Sequence, residues 1–224
     1  MPLRLRVTLL SDATFASGHG VAGLLDAEVE HDELGLPLIR GRTLKGLVVE
    51  GCDDALHALR LGGCSAWDTL LAARDFLFGR AGSGPGDDGA VRLGGAMLPD
   101  SLRVALAADI HGERLTAAEV LESLTTVRAS TALDPETGSP EPGSLRAWRA
   151  VLRGTAFTAR VDFAEAPSDL ARGLFAASVL LLRRGGSGRN RGRGRLEARL
   201  LEDGADVTQA WYEPFRAAVA GGAA

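Results

Sequence analysis

The segment LRLRVTL, residues 3–9, alternates apolar and polar side chains along its whole length. Because successive side chains of a strand point to opposite faces, this period of two predicts a β-strand with one face buried. The segment FTARVDF, residues 157–163, and the segment LEARL, residues 196–200, alternate in the same way. The sequence therefore predicts core strands close to both of its ends.

Two helices are predicted between these strands. Apolar residues recur at helical spacing over residues 43–60, where Thr43 can cap the first turn and Gly62-Gly63 can end the helix. A second helix is predicted to begin at Ser168-Asp169 and to end at Gly185, with an apolar face on its inner side. A short strand at 91–98 and a terminal helix at 207–219 complete the pattern.

The order of these elements is strand, helix, strand, insertion, strand, helix, strand. This order predicts an α+β, ferredoxin-like fold of the kind found in RNA-recognition motifs, with an antiparallel sheet and helices on one face. A Pro- and Gly-rich stretch around the turn D-P-E-T-G predicts a protruding thumb hairpin. We expect a single domain over residues 1–224, divided into a palm (about 1–60, 91–110 and 150–202), a loop insertion (about 80–90), the thumb (about 128–146) and the terminal helix.

The composition is that of an ordinary globular protein, with 46% hydrophobic and 24% charged residues among 224. A chain of this length buries roughly 70% of its unfolded surface, so no disulfide or metal is needed to form a core. The two cysteines, Cys52 and Cys64, form no disulfide framework, and the N-terminus has no signal-peptide core. The longest apolar run is about half a membrane span. We therefore expect a cytoplasmic protein with no membrane segment.

The net charge of −4 hides a local excess of positive charge. Residues 183–195, RRGGSGRNRGRGR, contain six arginines and no acidic residue, and we call them the Arg/Gly loop. Arginines can bind phosphates in pairs of hydrogen bonds, and glycines let backbone N–H groups approach an anion. The loop therefore predicts a polyanion site, with a disordered linker as the alternative. Because the aromatic signature of RNA-recognition motifs is missing, we expect any nucleic acid to be held by its backbone.

Several common catalytic motifs are absent, including phosphate-binding loops, zinc-ligand clusters and the nucleophile elbow. The four histidines, at 19, 31, 57 and 111, are scattered along the chain. Structural roles are the expected ones for His57, on the first helix, and for His111, beside a turn.

Four segments in order resemble the RAMP superfamily, the repeat-associated proteins of CRISPR effector complexes. GLPLIRGRTLKG, residues 35–46, is similar to the family motif G-x-P-x-I-P-G-S-S-L-K-G, and DFLFG, residues 75–79, is similar to its L-F-G segment. Residues 133–163 resemble the family's thumb and following strand, and residues 185–196 resemble its C-terminal glycine-rich loop. The resemblance covers most of the chain from the first strand to residue 200.

Size and thumb are most similar to the Cas7-group backbone subunit of type III complexes, found in the Csm and Cmr assemblies. The resemblance implies that copies of the chain stack along a CRISPR guide RNA beside other type III subunits, each inserting its thumb into the duplex of guide and complementary target RNA. It also implies that an aspartate in the loop after the first strand, with Mg²⁺, cleaves the target at regular intervals. Asp26 holds this position, six residues before Asp32, in the segment Gly23-Leu-Leu-Asp26.

Three interpretations of this segment stay open. A carboxylate that holds Mg²⁺ or its water can assist the attack of a 2′-hydroxyl on the adjacent phosphate, which is the role expected for Asp26. Asp32, His31 and Glu30 are weaker candidates for the same role. Alternatively, the alternating acids Asp26, Glu28, Glu30 and Asp32 are only the solvated face of an extended segment.

The resemblance also predicts RNA contacts. These are made by Lys45, the only lysine, and Arg42 at the start of the first helix, by the Arg/Gly loop and by the thumb. The candidates in the last two are Gly185, Gly186, Ser187, Gly188, Arg189, Asn190, Arg191, Arg193, Thr131, Leu133 and Asp134. The chain departs from the family where Arg40-Gly41-Arg42-Thr43 replaces Pro-Gly-Ser-Ser, and where Asp134-Pro135 replaces the thumb's Asp-Arg.

Two alternative functions stay open. The first is a RAMP protein that binds RNA and caps or scaffolds the complex without cleaving. The second is a guide-processing endonuclease that would use His19 or His31 as a general base.

Overall fold

The computed structural model describes residues 2–80 and 88–221 of the chain. Its strands are β1 (Leu3–Leu9), β2 (Val91–Leu93), β3 (Thr125–Ser130), β4 (Arg146–Val151), β5 (Ala156–Phe163), β6 (Leu196–Glu202) and β7 (Ala205–Asp206). Its α-helices are α1 (Gly41–Leu61), α2 (Trp67–Phe78), α3 (Asp100–His111), α4 (Ala117–Leu124), α5 (Asp169–Leu181) and α6 (Thr208–Gly221).

Five strands form one antiparallel sheet in the order β2-β5-β1-β6-β7. The central strand β1 pairs with β5 and β6, so that Leu5 lies opposite Ala159 on one side and Leu200 on the other. The helices α1 and α5 each connect two strands of this sheet. The predicted α+β, ferredoxin-like fold is confirmed.

The core lies between one face of the sheet and the two connecting helices. Leu5, Phe157, Leu44 and Phe175 have no exposed surface, and they come from β1, β5, α1 and α5 respectively. On the other face of β1 the arginines of the alternating pattern are exposed. The period of two thus separates the buried face from the solvated one, as expected for a sheet covered on one side.

Three helices, α2, α3 and α4, were not predicted from the sequence. Helix α3 has no fully buried side chain, and only Leu106 and Ile110 are partly buried against the core, so its apolar stripe is weak. Helix α4 is only eight residues long, although it has a complete capping box in which Thr116 and Glu119 each accept the other's backbone N–H. A short helix such as α4, or a helix with few buried residues such as α3, leaves a weak periodic signal.

Other boundaries shift from the predicted ones. The strand expected over 91–98 ends at Leu93, because Gly94-Gly95 interrupts it before Met97 pairs again with Thr158. The second connecting helix ends at Leu181 rather than Gly185, and the terminal helix spans Thr208–Gly221. Of the insertion expected at 80–90, residues 81–87 lie outside the described residues. No helix in the described part of the chain is both long and apolar enough to cross a bilayer.

The strands β3 and β4 form a separate two-stranded hairpin at the place expected for the thumb. Residues 131–145, which we call the thumb loop, connect them. The hairpin is attached to the palm through the segment that follows β1, because Ala13 pairs with Val151 and Ala27 pairs with Trp148. The segment after β1 therefore lies between the sheet and the thumb.

Candidate nucleic-acid interface

The Arg/Gly loop has a defined backbone conformation held by hydrogen bonds. Ser187 N–H donates to the carbonyl of Thr14 at 2.8 Å, and Gly194 N–H donates to the carbonyl of Asp12 at 3.0 Å. Gly186 has a φ of +82°, and a Cβ there would lie 2.6 Å from the Thr14 carbonyl oxygen. The loop thus requires glycine for both its left-handed backbone and its close approach to the segment after β1.

Replacement of Gly194 by alanine is expected to destabilise the fold by roughly 2–3 kcal/mol. Its φ is +64°, and an added Cβ would overlap the carbonyl oxygen of Gly185. Gly192→Ala is the matched control, since Gly192 has a φ of +81° with open space around it, and should cost about 1 kcal/mol. Urea unfolding of both variants measures the difference. Equal destabilisation would show that the loop does not need the close approach of Gly194 to Gly185.

The arginines of the loop have different partners. Arg189 binds Glu50 of α1 at 2.5 Å, and this hydrogen bond raises the pKa of Arg189 above its usual value. Arg193 lies over the ring of Trp148 in β4, 4.0 Å from its centroid. Arg191 is exposed and has no side-chain partner within the described residues. Of these three, Arg191 is therefore the most available to an incoming anion.

Positive charge accumulates where this loop meets the thumb. Partial burial, and then repulsion from Arg128 and Arg191, lowers the pKa of Arg193 below the usual value of an arginine. Arg128 belongs to β3, whereas the other two arginines belong to the Arg/Gly loop. The stacking of Arg193 on Trp148 brings this charge to the root of the hairpin. The root of the thumb and the loop form one basic surface.

Asp12 connects this surface to the palm. Its carboxylate accepts hydrogen bonds from the Arg128 side chain at 2.6 Å and from the Arg153 N–H at 3.0 Å. Its carbonyl accepts the Gly194 N–H. Partial burial acts to raise the pKa of Asp12, but the bonds from Arg128 and Arg153 outweigh it and lower the pKa below the ordinary 3.8. One residue thus joins β3, the turn after β4 and the Arg/Gly loop.

Asp12→Asn is expected to destabilise the chain by about 1–3 kcal/mol at neutral pH, because it removes the charge from two hydrogen bonds. The folded-state pKa is lowered, so this stability is fully present above pH 3.8 and is lost as the pH falls through the folded-state value. Unfolding of wild type and variant between pH 3 and pH 7 should show curves that converge at acid pH. Asp109→Asn, which breaks an exposed pair with Arg114, is the control and should change little. A gap that is as large at pH 3 as at pH 7 would contradict this assignment.

Asp26 lies at the root of the thumb. Its Oδ2 accepts the backbone N–H of Ala147 at 2.7 Å, and its Oδ1 is 3.5 Å from the Arg146 side chain. The side chain remains 45% exposed. It borders an open pocket of about 560 Å³ whose walls include Val21, Leu24 and Leu145. The carboxylate is therefore held in place on one side and open on the other.

The other three acids of the alternating segment are used in ion pairs. Glu28 binds Arg149 at 2.9 Å, Glu30 binds Arg40 at 2.8 Å, and Asp32 binds Arg103. Their side chains are between 12% and 17% exposed. Asp32 also caps its own turn by accepting the N–H groups of Leu34 and Leu36. Among these four acids, Asp26 alone is left largely open.

The described residues contain no cluster of three or more His, Cys, Asp or Glu side chains that could hold a metal ion by themselves. A single carboxylate nevertheless fits Mg²⁺, which is commonly bound by one or two carboxylates together with water and substrate phosphates. Asp26 offers such an oxygen, because Oδ1 has only the long contact to Arg146. Asp32 does not, since its two oxygens are occupied by Arg103 and by backbone N–H groups.

Lys45 and Arg42 lie at the start of α1. They border an open pocket of about 530 Å³ between the helix and β2. Neither side chain has a hydrogen bond or ion pair within the described residues. The first turn of α1 contains no acidic residue, so the positive end of its dipole is not neutralised there. This arrangement fits an anionic group.

The predicted thumb contacts are placed in an acidic loop. Thr131 and Leu133 are exposed, whereas the Asp134 carboxylate accepts the N–H groups of Thr137 and Glu136, and these bonds lower the pKa of Asp134. The thumb loop carries Asp134, Glu136 and Glu141 and no basic residue. Asp134 therefore shapes its own turn, and the loop has no cation with which to hold a phosphate.

The candidate histidines are exposed. His19 lies opposite Glu28 within the segment after β1, because its carbonyl accepts the N–H of Glu28. The Nδ1 of His31 is 2.9 Å from the carbonyl of Asp32, close to its own backbone. His31 is thus oriented by the segment that carries it.

Several residues of this interface were not predicted from the sequence, namely Asp12, Arg128, Arg146 and Trp148. Trp148 offered one signal, as a tryptophan two residues beyond the predicted end of the thumb. The ion pair between Asp12 and Arg128 joins residues 116 positions apart and leaves no local pattern.

Comparison with known proteins agrees with this architecture. The family model of the RAMP superfamily matches residues 6–197. The chain belongs to the RAMP superfamily. A comparison with curated proteins finds no match.

The RAMP fold also relates the chain to solved structures. A chain of the type III-B Cmr-beta complex, determined by cryo-electron microscopy with cognate target RNA bound, matches 92% of this chain and 99% of its own length at a TM-score of 0.65 and 14% identity. A chain of the apo Cmr-beta complex has the same coverage and identity at a TM-score of 0.63. At this level of identity the similarity establishes the fold of the RAMP chain alone.

Proposed function

We propose that this RAMP protein is a backbone subunit of a cytoplasmic type III CRISPR effector complex in antiviral defence. In this proposal, copies of the chain stack along a guide RNA beside other effector subunits and cleave complementary target RNA next to each thumb. The observation that carries the catalytic part is the contrast among four alternating acids, of which Asp26 alone is left open at the root of the thumb.

The guide is held by its phosphates in this proposal. The basic surface formed by the Arg/Gly loop and the root of the thumb supports it, as do Lys45 and Arg42 at the positive end of α1. Because contacts to phosphates carry no base information, this binding should be independent of sequence. Two comparisons support the assignment of the chain as an RNA-binding subunit. The chain belongs to the RAMP superfamily, and it shares its fold with a chain of a complex that contains target RNA.

Asp26 acts on the target strand. The Ala147 N–H holds one carboxylate oxygen, which fixes the direction of the other. Asp26 would hold Mg²⁺, which when bound supplies charge stabilisation for the phosphate under attack. The carboxylate is also positioned to accept a proton from a 2′-hydroxyl through a water molecule. Asp26 therefore has a role at the reacting phosphate that the paired acids cannot take.

The test is target-RNA cleavage by the assembled, guide-loaded complex in Mg²⁺, with target binding measured on the same samples. A ladder of regularly spaced products is the expected result. Tight target binding without a ladder would assign the chain a scaffolding role. Cleavage of a precursor hairpin RNA by the isolated protein, lost in His19→Ala or His31→Ala, would instead assign it to guide processing.

A further inference from the structure

One face of the thumb hairpin carries an aromatic ring among arginines. Trp148 of β4 lies directly opposite Arg128 of β3, and side chains that face each other across an antiparallel pair lie on the same side of the hairpin. Arg146, two residues before Trp148, is also on this side because strand side chains alternate. The Arg146 side chain lies 3.5 Å from the Oδ1 of Asp26. The ring is therefore on the same side of the thumb as the contact between Arg146 and Asp26.

Arg193 of the Arg/Gly loop covers this ring. Its guanidinium carbon lies 4.0 Å from the ring centroid, which is van der Waals contact. The other two arginine–tryptophan contacts within the described residues are longer, at 5.4 Å each. Gly188 lies beside the stem of Arg193, since a Cβ added there would be 3.6 Å from the arginine Cδ. The hairpin and the Arg/Gly loop together hold the guanidinium in one place.

This guanidinium has no anionic partner of its own. Its side chain is partly exposed and makes no hydrogen bond or ion pair within the described residues. The cations Arg128 and Arg191 act on it, and the nearby carboxylate of Asp12 is already bound to Arg128. A guanidinium that rests on one ring can take a second π system on its other face. The surrounding cations favour a ligand that also carries negative charge, and an unpaired nucleotide offers both a base and a phosphate.

We propose that Arg193, held on Trp148, is a stacking platform for one unpaired base of the guide RNA. The inference rests on the proposed function, in which the Arg/Gly loop holds guide phosphates. Every base has a π face, so stacking accepts any of the four and adds little sequence preference. The N–H groups at the edge of the guanidinium stay available to the adjacent phosphate. Arg193 thus adds a base contact to an interface that otherwise binds phosphates.

The test compares a single-stranded RNA with a strand of the same length built from stable abasic nucleotides. Fluorescence anisotropy with the full chain measures both affinities at one salt concentration. Wild type is expected to bind the strand with bases at least about fivefold more tightly. Arg193→Lys keeps the charge but loses the planar group, so it should bind the two strands within about twofold of each other. Arg191→Lys is the matched control and should keep the wild-type ratio, because Arg191 contacts no aromatic ring within the described residues.

Trp148→Leu tests the platform from the other side. It removes the ring but keeps the charge of Arg193, so it should lower the affinity ratio as Arg193→Lys does. The two changes together should have no further effect, since they remove the same stack. Equal binding of both strands by wild type would overturn the proposal and leave the proposed phosphate contacts standing. A preference for bases that survives Arg193→Lys would overturn it as well, because the bases would then be held elsewhere. Failure of wild type to bind either strand would instead count against the proposed function, and the inference would fall with it.

Discussion

Asp26→Asn is expected to lower target-RNA cleavage by the guide-loaded complex at least about a hundredfold while target binding stays within about twofold. The amide oxygen of asparagine can still accept the Ala147 N–H, so the local structure at the root of the thumb should be kept. What the variant lacks is the negative charge that Mg²⁺ or a 2′-hydroxyl proton requires. Cleavage rates under single-turnover conditions, with binding measured on the same complex, separate these two effects.

Glu33→Gln is the matched control for this experiment. Glu33 lies in the same segment, is exposed, and has no hydrogen bond or ion pair within the described residues. The two variants change the net charge equally, so a general electrostatic effect would appear in both. A cleavage ladder that survives Asp26→Asn would remove Asp26 from the reaction. Loss of binding together with cleavage would make it a structural residue of the thumb.

The strands of the palm were predictable because their alternation has a direct physical cause. One face of β1 is buried against helices and the other faces solvent, so each residue type reports the side on which it lies. Helix α1 was predictable for the same reason, with its buried residues at helical spacing. Helix α3 has no fully buried side chain, and only Leu106 and Ile110 are partly buried against the core, so its apolar stripe is too weak to distinguish it from a loop.

The sequence could not predict that the Asp26 side chain is the exposed one among the four alternating acids. Four acids alternate over residues 26–32, and nothing local distinguishes one from another. Their partners decide the matter, and two of these are far away in the chain: Arg149 is 121 residues from Glu28, and Arg103 is 71 residues from Asp32. Resemblance to a family motif selected Asp26, whereas the pairing of its neighbours gives a physical reason for that selection.

The basic surface was predicted in part. The composition of the Arg/Gly loop indicated an anion site, but it could not show that Arg189 is bound to Glu50 while Arg191 is open to solvent. The thumb was expected to contact RNA, and that remains a prediction for Thr131, Leu133 and Asp134. Its three acids, however, favour contact through Leu133 rather than through charge.

Removal of four cations, in the variant Arg42→Ala/Lys45→Ala/Arg189→Ala/Arg191→Ala, is expected to weaken binding of single-stranded RNA on the order of a hundredfold at physiological salt. Each cation that neutralises a phosphate releases counterions, so the slope of log K against log salt should fall by about 0.7 for each cation removed, or about 3 in total. Because these cations bind phosphates, affinity should fall equally for unrelated sequences. Fluorescence anisotropy at several salt concentrations measures both quantities.

Single substitutions then rank the four positions. Arg191→Ala should lower the affinity more than Arg189→Ala, because Arg189 is already held by Glu50 and must share its guanidinium with any phosphate. Glu50→Gln removes that competitor, and it should raise affinity only when Arg189 is present. An effect of Glu50→Gln that requires Arg189 indicates that Arg189 contacts the RNA directly. A distant charge would change RNA binding equally with and without Arg189.

Arg4→Ala/Arg6→Ala on the open face of the sheet is the control for net charge. These two arginines are exposed and lie outside the proposed interface, so their removal should change the salt slope by much less than the removal of two phosphate-binding cations. A similar slope change in this control would mean that the RNA senses the overall charge of the molecule. A quadruple variant whose affinity falls for some sequences and not for others would instead place bases, rather than phosphates, against the four removed cations.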